Sequence, residues 1–456
     1  MSKPIKYYST NLKAGEVSFR DALLKGLAPD RGLYMPREIP VIPKEDFFSF
    51  ASCEYDEIAY QVTRRFLHTE IPDADLRNIV RDAYDFPVPL EKVYDRKYIM
   101  RLDQGPTASF KDFAARMMGR LMQYFLHKEN RKMLILTATS GDTGSAIANA
   151  FYGLDNIKVV VLFPEKEVTD RQRKQMTTLH KNIQIIALDG KFDDCQALVK
   201  QAFSDPELEY LQLSSANSIN IGRLLPQSVY YVYAFAKLNN GNKNDTVVFS
   251  VPSGNFGNLM GGLIAMKTGL PVKRFVVSTN ENDEVPVYWK TGMYQTIVPS
   301  VNCISSAMNV GHPSNMARIV ALYGGVMDER GTVLKEPDMG KMRNDMFAVS
   351  ISDKVTREAL SKMNKIYGLL LEPHGAVSWE GLMRYQENSQ ERSAEQLCVS
   401  LETAHPAKFP EEIRDILDIE PELPQSLTNL DNKEEKFDKI LNDYQSFKNY
   451  LKDNYK

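Results

Sequence analysis

Short, wholly apolar runs alternate along this chain with longer and more polar stretches. The runs predict strands at 133–137, 158–163, 183–188, 210–213, 246–250, 275–278 and 396–401. The stretches around them predict helices at 60–66, 76–83, 113–125, 171–180, 195–203, 221–238, 259–267, 355–366, 376–385 and 434–455. Apolar strands that alternate with helices are typical of parallel sheets covered on both faces. The pattern therefore predicts an α/β fold.

The predicted elements also suggest how the chain is organised. At roughly 150 residues per domain, 456 residues suit about three units. We expect an N-terminal domain at 1–95, a first α/β lobe at 96–240 and a second α/β lobe at 241–456, which would include the charged C-terminal helix.

Composition narrows the class of protein. The net charge of −3 lacks the basic footprint of a nucleic-acid-binding protein, and no apolar run approaches the roughly 20 residues of a membrane span. Six histidines without metal-like spacing argue against a zinc enzyme, so we expect no metal. The four cysteines lie far apart and the N-terminus has no apolar signal-peptide core, which predicts a cytoplasmic protein.

Two glycine-bearing turns follow predicted strands, where open α/β sheets bind their ligands. They are Ser140-Gly141-Asp142-Thr143-Gly144 and Ser253-Gly254-Asn255-Phe256-Gly257-Asn258. Glycine allows close backbone approach, and a following helix N-terminus offers N–H groups to a phosphate or carboxylate. The second turn matches neither the dinucleotide nor the P-loop signature. Both turns are also open to a plainer interpretation, as a helix cap or a tight turn.

Four further segments carry candidate chemistry. Asn217-Ser218-Ile219-Asn220 with Arg223 opens a predicted helix, either as an anion site or as a cap with a surface arginine. Lys111 follows a small, proline-bearing segment and would become a nucleophile if desolvated, although most lysines are solvated. His374 and His405 are either acid–base groups or hydrogen-bonded structural residues.

Taken in this order, the motifs resemble the threonine synthase family, whose members depend on pyridoxal 5'-phosphate (PLP) and have the tryptophan-synthase-β-like fold, PLP fold type II. The resemblance covers about residues 7 to 420. It rests on the motifs at 109–112, 140–144, 217–223, 253–258 and 402–409. Glu372 departs from the pattern, since a shorter aspartate is common there.

The resemblance implies roles for individual residues. Lys111 would form the Schiff base with PLP, and Thr403 would face the pyridine nitrogen and leave it largely unprotonated. The other cofactor-binding residues would be Asp142 near the phenolic oxygen and Gly254, Asn255, Phe256, Gly257 and Asn258 around the phosphate. The substrate-binding residues would be Ser140, Gly141 and Thr143 near the carboxylate, and Asn217, Ser218 and Arg223 at the substrate's own phosphate.

The implied reaction converts O-phospho-L-homoserine and water into L-threonine and phosphate. Lys111 would serve as the general base at Cα. Three alternatives stay open: a related phospho-lyase that yields a keto acid, a threonine or serine dehydratase, and a non-catalytic binding protein. The second candidate anion site disfavours the dehydratase. We expect the small-molecule substrate O-phospho-L-homoserine to be the only partner, with no nucleic acid and no membrane. The chain would be a monomer or a homodimer.

Overall fold

The structure is a computed structural model that describes residues 3–139, 141–388 and 394–455. Its strands are β1 (Tyr7–Ser9), β2 (Tyr34–Pro36), β3 (Leu90–Tyr94), β4 (Lys97–Arg101), β5 (Met133–Ala138), β6 (Ile157–Pro164), β7 (Ile183–Leu188), β8 (Leu213–Ser215), β9 (Val247–Pro252), β10 (Val272–Thr279), β11 (Val326–Met327), β12 (Val333–Lys335), β13 (Met346–Ser350), β14 (Leu397–Glu402) and β15 (Asp438–Ile440).

Helices connect and cover these strands. They are α1 (Phe19–Lys25), α2 (Lys44–Ser49), α3 (Tyr55–Leu67), α4 (Asp73–Ala83), α5 (Lys111–Lys128), α6 (Asp142–Phe151), α7 (Asp170–Thr177), α8 (Phe192–Ser204), α9 (Leu225–Leu238), α10 (Gly257–Lys267), α11 (Glu284–Thr291), α12 (Met316–Leu322), α13 (Met339–Asp345), α14 (Asp353–Tyr367), α15 (Pro373–Asn388), α16 (Pro410–Leu417) and α17 (Tyr444–Asn454). Among the described residues, none of these helices is long and apolar enough to cross a bilayer.

Two larger sheets organise the molecule. One has six strands in the order β13-β10-β9-β14-β4-β3, parallel except for β3 at its edge. The other has five parallel strands in the order β15-β7-β6-β5-β8. The central strands β5 and β9 are buried along their whole length, as parallel strands covered by helices on both faces require. The predicted α/β architecture is thus confirmed.

The sheets draw their strands from distant parts of the chain. β3 and β4 flank residue 95 but both belong to the six-stranded sheet, and β15 returns from the C-terminus to join the five-stranded one. The division at residues 95 and 240 therefore cuts across both sheets, and it remains a proposal about folding units rather than about sheets.

The predicted C-terminal helix at 434–455 is wrong over its first ten residues. Strand β15 pairs in parallel with β7 there, and the helix begins only after Asp443, whose side chain accepts a hydrogen bond from the backbone N–H of Ser446. Asparagine and aspartate at 442–443 interrupt the helical pattern and favour a cap. Helix α17 then buries Phe447 and Leu451 against the outer face of the five-stranded sheet.

Two other predicted elements are shifted. Residues 206–211 form a 3-10 helix that starts at Pro206, so the fourth strand runs from Leu213 to Ser215 instead of 210–213. The predicted helix at 221–238 opens as a separate 3-10 turn, Ile221–Arg223, and α9 starts at Leu225 because Pro226 suits a first helical turn. This break leaves Arg223 in a turn rather than on a regular helix.

The strand order determines where functional side chains meet. β4 and β14 are parallel neighbours, with Arg101 opposite Glu402, so the chains that leave them run side by side. β5 ends at Ala138 in the other sheet, just before the first glycine turn, and β9 ends at Pro252 before the second. Ligands of open α/β sheets bind beyond such carboxyl ends.

Candidate active site

The segment before Lys111 is fixed to the chain that leaves β14. The backbone N–H of Phe110 donates to the carbonyl of Thr403 at 2.9 Å, and the N–H of His405 donates to the carbonyl of Ala108 at 3.0 Å. Lys111, the first residue of α5, therefore lies close to Thr403 along the backbone. Two residues that the sequence places almost 300 positions apart are brought together by this pairing.

Asp112 holds the same segment from within. Its carboxylate accepts hydrogen bonds from the backbone N–H of Thr107 at 2.9 Å and from the Thr107 hydroxyl at 2.6 Å. A Cβ on Gly105 would lie 2.4 Å from a carboxylate oxygen of Asp112, so only glycine fits there. Burial raises the pKa of Asp112, although the hydrogen bonds from Thr107 oppose this. The loop is consequently a rigid support for Lys111.

Lys111 lies beside Asp142 in a mostly buried position. Its Nζ is 3.6 Å from Oδ2 of Asp142, and its side chain is 14% exposed. Burial lowers the pKa of Lys111; the charges of Lys408 and Arg223 lower it further, while Asp142 and Glu372 oppose the shift. A buried amine of lowered pKa is available as a nucleophile and as a base.

Asp142 begins helix α6 immediately after the first glycine turn. Gly141 has φ +131°, and a Cβ there would lie 2.5 Å from the side chain of Gln172. The hydroxyl of Thr139 accepts the backbone N–H groups of Gly141 and Gly144 at 2.9 and 2.8 Å, which fixes the turn. Ser140 lies outside the described residues. Thr143 is half-buried in the first turn of α6, next to Asp142.

Asp142 is ionised and receives three polar contacts. Besides Lys111, the amide of Gln172 donates to its Oδ1 at 3.1 Å, and Nζ of Lys408 lies 2.7 Å from the same oxygen. Burial alone would raise the pKa of Asp142, but the charges of Lys408 and Lys111 outweigh it and hold the pKa far below its ordinary value. The carboxylate stays negative at any physiological pH.

The second glycine turn presents backbone N–H groups ahead of α10. Phe256 adopts the left-handed conformation, with φ 60°, and its ring is buried. A left-handed residue directly before a helix can turn successive N–H groups toward one point, which suits a phosphate. A Cβ on Gly254 would lie 2.9 Å from the carbonyl oxygen of Ala307, so this turn packs directly against a neighbouring backbone.

Asn258, the second residue of α10, carries a further side-chain donor. Its Oδ1 accepts the hydroxyls of Tyr230 and Tyr231, both at 2.6 Å, which fixes the amide orientation. Its Nδ2 is buried and has no hydrogen-bond partner among the described residues. Because a buried donor without a partner is costly, it marks a place where a ligand acceptor fits.

Arg223 shows the same feature more strongly. The side chain is buried, Nη1 donates to the carbonyl of Ala216 at 2.7 Å, and Nε has no partner within the described parts of the chain. Burial lowers the pKa of Arg223 to about 10, so the guanidinium remains charged at neutral pH. Asn217 nearby is oriented by the hydroxyl of Thr137, which donates to its Oδ1.

A segment without a predicted role joins the two candidate anion sites. Asn315 donates from Nδ2 to the carbonyls of Asn255 at 3.0 Å and Ser218 at 3.3 Å. The Ser314 hydroxyl lies 3.2 Å from that of Ser218 and 3.3 Å from Oδ1 of Asn255. Arg318 is fully buried and donates to the carbonyls of Ser218 and Ile219. The turn at 253–258 and the cluster at 217–223 are therefore parts of one structure.

Thr403 is backed by a buried acid and a histidine. Its hydroxyl lies 3.4 Å from Oε1 of Glu372, whose other oxygen accepts Nδ1–H of His374. Nε2 of His374 accepts the backbone N–H of Ala307 at 3.0 Å, so the ring serves as a structural link. Nδ1 of His405 accepts the N–H of Ala407 at 3.1 Å, and burial lowers the pKa of His405 to about 4. Both histidines fit the structural interpretation better than acid–base roles.

Sequence reasoning missed four polar residues of this site: Gln172, Asn315, Arg318 and Lys408. Lys408 lies within the 402–409 motif but had no assigned role. Nothing in a single sequence distinguishes a buried lysine or arginine from a solvated one, because its partners come from other elements. The only local signal was the proline-bearing turn at 406–408, which ends the run after β14.

Comparison with known proteins defines the class first. The model of the pyridoxal-phosphate dependent enzyme family matches residues 88–401, and this covers both large sheets apart from β15 and the last residue of β14. The chain is thus a PLP-dependent enzyme of fold type II. Models of the threonine synthase N terminus and of the threonine synthase C-terminal region match residues 6–84 and 376–451.

Individual relatives agree with the family models. A threonine synthase of Haemophilus influenzae is 41% identical over 96% of this chain and 97% of its own length. The crystal structure of PLP-bound threonine synthase from Brucella melitensis has a TM-score of 0.90 and 34% identity, covering 99% of this chain and 100% of that one. Threonine synthase from Escherichia coli has a TM-score of 0.86 and 35% identity, with coverages of 98% and 99%. The chain belongs to the threonine synthase family.

Proposed function

We propose that this enzyme converts O-phospho-L-homoserine and water into L-threonine and phosphate. The observation that carries the proposal is the buried guanidinium of Arg223, whose Nε has no partner among the described residues. Arg223 ends the 217–223 segment, and Asn315 joins that segment to the turn at 254–258 by its hydrogen bonds to the carbonyls of Ser218 and Asn255. A PLP enzyme needs one anion site for the cofactor phosphate. A second one beside it suits a substrate that carries a phosphate of its own.

The residues present fit the cofactor. Lys111 offers a nearly buried amine, the turn at 254–258 offers backbone N–H groups, and Asn258 offers an orphaned donor. Thr403 lies beside the backbone segment that precedes Lys111, since its carbonyl accepts the N–H of Phe110. In this position Thr403 would contact the pyridine nitrogen of the cofactor, and Asp142 would contact its phenolic oxygen. PLP supplies, when bound, the aldehyde that takes the substrate amine and the ring that withdraws electrons from Cα.

The side chains and backbone of the protein would carry out the proton transfer and bind the substrate. Lys111, once released, takes the proton from Cα as a general base, for which its burial and lowered pKa suit it. Arg223 and Ser218 hold the phosphate that departs from Cγ, and Gly141 and Thr143 lie where a substrate carboxylate would meet the start of α6. A proton leaves Cβ as phosphate departs from Cγ, and a proton returns to Cγ before water adds at Cβ. A proton restored to Cα then completes L-threonine.

Product analysis with O-phospho-L-homoserine tests the proposal. We expect equal amounts of L-threonine and inorganic phosphate. A keto acid with phosphate would identify a phospho-lyase, and turnover of L-threonine or L-serine alone would identify a dehydratase. The Lys111→Ala variant should lose activity and the cofactor adduct that borohydride traps, whereas the exposed-site control Lys335→Ala should keep both.

We also propose that the enzyme works in the cytoplasm as a monomer or a homodimer with independent sites. All four cysteines, Cys53, Cys195, Cys303 and Cys398, are unpaired thiols, which suits a reducing compartment. Sedimentation of the purified protein at several concentrations would distinguish the two states, and the activity per chain should be the same in both.

A further inference from the structure

A second buried lysine shares Asp142 with Lys111. Lys408 lies in the 3-10 turn Pro406–Lys408 that follows β14, and its side chain has no exposed surface. Its Nζ is 2.7 Å from Oδ1 of Asp142 and donates to the carbonyl of Thr107 at 3.0 Å. Oδ2 of the same carboxylate is 3.6 Å from Nζ of Lys111. One carboxylate thus bridges two lysines, and its closer partner is Lys408.

The ion pair also crosses between the two sheets. Asp142 follows β5 of the five-stranded sheet, whereas Lys408 and Lys111 follow β14 and β4 of the six-stranded one. A buried charge is retained only when it is paired and hydrogen-bonded. Lys408 meets both conditions, since it has a close carboxylate and a carbonyl acceptor. Among the described residues, the only carboxylate in ion-pair contact with Lys111 is the more distant oxygen of Asp142, which is already engaged, and the Lys111 Nζ also lies over the ring of Phe110, 4.9 Å from its centroid.

We propose that Lys408 is a positioning residue that binds Asp142 as its ion-pair partner and so leaves Lys111 as an uncharged amine, ready to attach to the cofactor and to take a proton. The proposal rests on the proposed function, because it requires Lys111 to be the PLP-attaching lysine. Lys408 itself contacts neither cofactor nor substrate in this assignment and acts through Asp142.

The charged groups that face Lys111 determine whether removing one of them favours its protonated or its uncharged form. They are Asp142 on α6, Lys408 in its turn, Arg223 in the turn before α9, and Glu372 just before α15. Removing the Lys408 charge has two effects on Lys111 in one direction: a like charge disappears, and Asp142 is left with Lys111 as its only lysine partner. Both favour the protonated amine. Removing the Asp142 charge has the opposite effect, because Lys111 then loses its attraction and keeps its repulsion.

The experiment measures how fast PLP attaches covalently to the apoprotein as a function of pH. Only the free amine attacks an aldehyde, so the rate follows the uncharged fraction of Lys111, and titrations of PLP itself are common to all variants. We expect Lys408→Met to attach PLP about tenfold more slowly at neutral pH, the change that one pKa unit produces, with a profile displaced to higher pH. Lys408→Arg should keep the wild-type profile, and Asp142→Asn should displace it to lower pH.

A purely structural role for Lys408 would change stability without displacing the profile. Circular dichroism and thermal unfolding monitor the fold of each variant. If Lys408→Met does not fold, the double variant Asp142→Asn/Lys408→Met, which buries no ion at this pair, is compared with Asp142→Asn. The second substitution should then move the profile back to higher pH. The proposal is overturned if the pH profile of Lys408→Met superimposes on that of the wild type, or that of the double variant on that of Asp142→Asn. If Asp142→Asn is the only variant that folds, the proposal is overturned when its profile does not move to lower pH.

Mapping the borohydride-trapped peptide separates this proposal from the proposed function. Trapping on Lys111 with superimposable profiles refutes the role of Lys408 alone. Trapping of the wild-type protein on Lys408 or another lysine refutes the assignment of Lys111, whatever the pH profiles show.

Discussion

Two buried arginines show how a single side chain reveals whether it awaits a ligand. Arg318 donates to three carbonyl oxygens and to Oδ1 of Asn315, so its donors are directed at the protein. Arg223 makes one hydrogen bond to a carbonyl and leaves Nε without a partner among the described residues. Neither has a carboxylate within ion-pair distance in the described chain. Arg318 therefore supports the backbone of the site, whereas the unpartnered Nε of Arg223 supports its proposed role in binding an anionic ligand.

Arg223→Ala should consequently affect the phosphorylated substrate and not the cofactor. A hydrogen bond to a charged group contributes about 1.5–3 kcal/mol, so KM for O-phospho-L-homoserine should rise about tenfold to a hundredfold. The affinity of the apoprotein for PLP, measured by equilibrium titration, should change little. The exposed Arg330 provides a matched control, since Arg330→Ala should alter neither value. Weaker PLP binding with an unchanged KM would contradict the assignment.

A substitution at Gly375 in α15 tests whether the buried carboxyls of Glu372 and Glu402 lie next to Thr403 as the structure shows. Alanine normally stabilises a helix interior relative to glycine by about 1 kcal/mol. A Cβ at Gly375, however, would lie 1.4 Å from Oε2 of Glu402, a fully buried carboxyl whose pKa is raised by burial and by Glu372. Gly375→Ala should therefore lower the free energy of unfolding by at least about 2 kcal/mol, as overpacking does.

Denaturant unfolding of the apoprotein measures this change. Gly15→Ala is the control, because a Cβ there meets nothing within 4 Å and its backbone is not left-handed. A stability equal to or above wild type in Gly375→Ala would show that Glu402 does not occupy this position.

At the scale of elements, sequence patterns succeeded where burial is symmetric and failed where it depends on a partner. Strands such as β5 and β9 are buried on both faces, so their own apolar residues are enough to predict them. β3 is only half-buried along its length, and β15 is a three-residue strand whose pairing with β7 is entirely a tertiary contact. Local patterns carry no information about such pairing.

Helix α7 illustrates the same limit at the site. Arg173 binds Glu435 through two hydrogen bonds of 2.9 and 3.0 Å, which attaches the helix to the C-terminal segment. From the same helix, Gln172 reaches Asp142 and Gln175 donates to the carbonyl of Thr107 at 3.2 Å. The helix itself was predictable from its polar pattern. Which of its side chains meet the active site was not, because those contacts depend on the packing of two lobes.

The C-terminal helix α17 is a packing element. Its apolar face enters the core of the five-stranded sheet, while Lys448 binds Asp205 and Glu207 at 2.8 and 2.9 Å. Leu451→Ala should lower the free energy of unfolding by about 2–5 kcal/mol, since a fully buried leucine leaves a cavity. The exposed Gln445 on the same helix gives the control Gln445→Ala, expected to change stability by less than about 0.5 kcal/mol. Equal effects of the two substitutions would refute this packing role.

At the scale of the whole molecule, the site exists only where the two sheets meet. The turns that bear Lys111, Asp142 and the 254–258 segment were identifiable one by one from glycines, small residues and their place after strands. Their convergence came from the resemblance, not from spacing. The ion pair of Asp142 with Lys408 was beyond sequence reasoning altogether, because it joins the ends of strands in different sheets.

The pH dependence of stability tests the burial of two other titratable side chains, His405 and Asp103, in the intact apoprotein. His405 has its pKa lowered to about 4 from 6.5, chiefly by burial, so between these values the unfolded chain binds more protons than the native protein. Its contribution to stability is therefore lost as the pH falls from about 6.5 to about 4. Asp103 has the reverse behaviour: burial raises its pKa from 3.8 to about 6, so acidification over that range favours the native protein.

Two substitutions should hence change the acid side of the stability profile in opposite directions. His405→Asn keeps an acceptor for the N–H of Ala407 but cannot take up a proton, so the loss of stability between pH 6.5 and 4 should become smaller. Asp103→Asn removes a group that gains stability on acidification, so the loss should become larger. Denaturant unfolding at pH steps across this range, without PLP, measures both. Parallel profiles for the two variants would mean that neither side chain is buried as the structure places it, because a solvated histidine or aspartate titrates alike in the folded and unfolded chain.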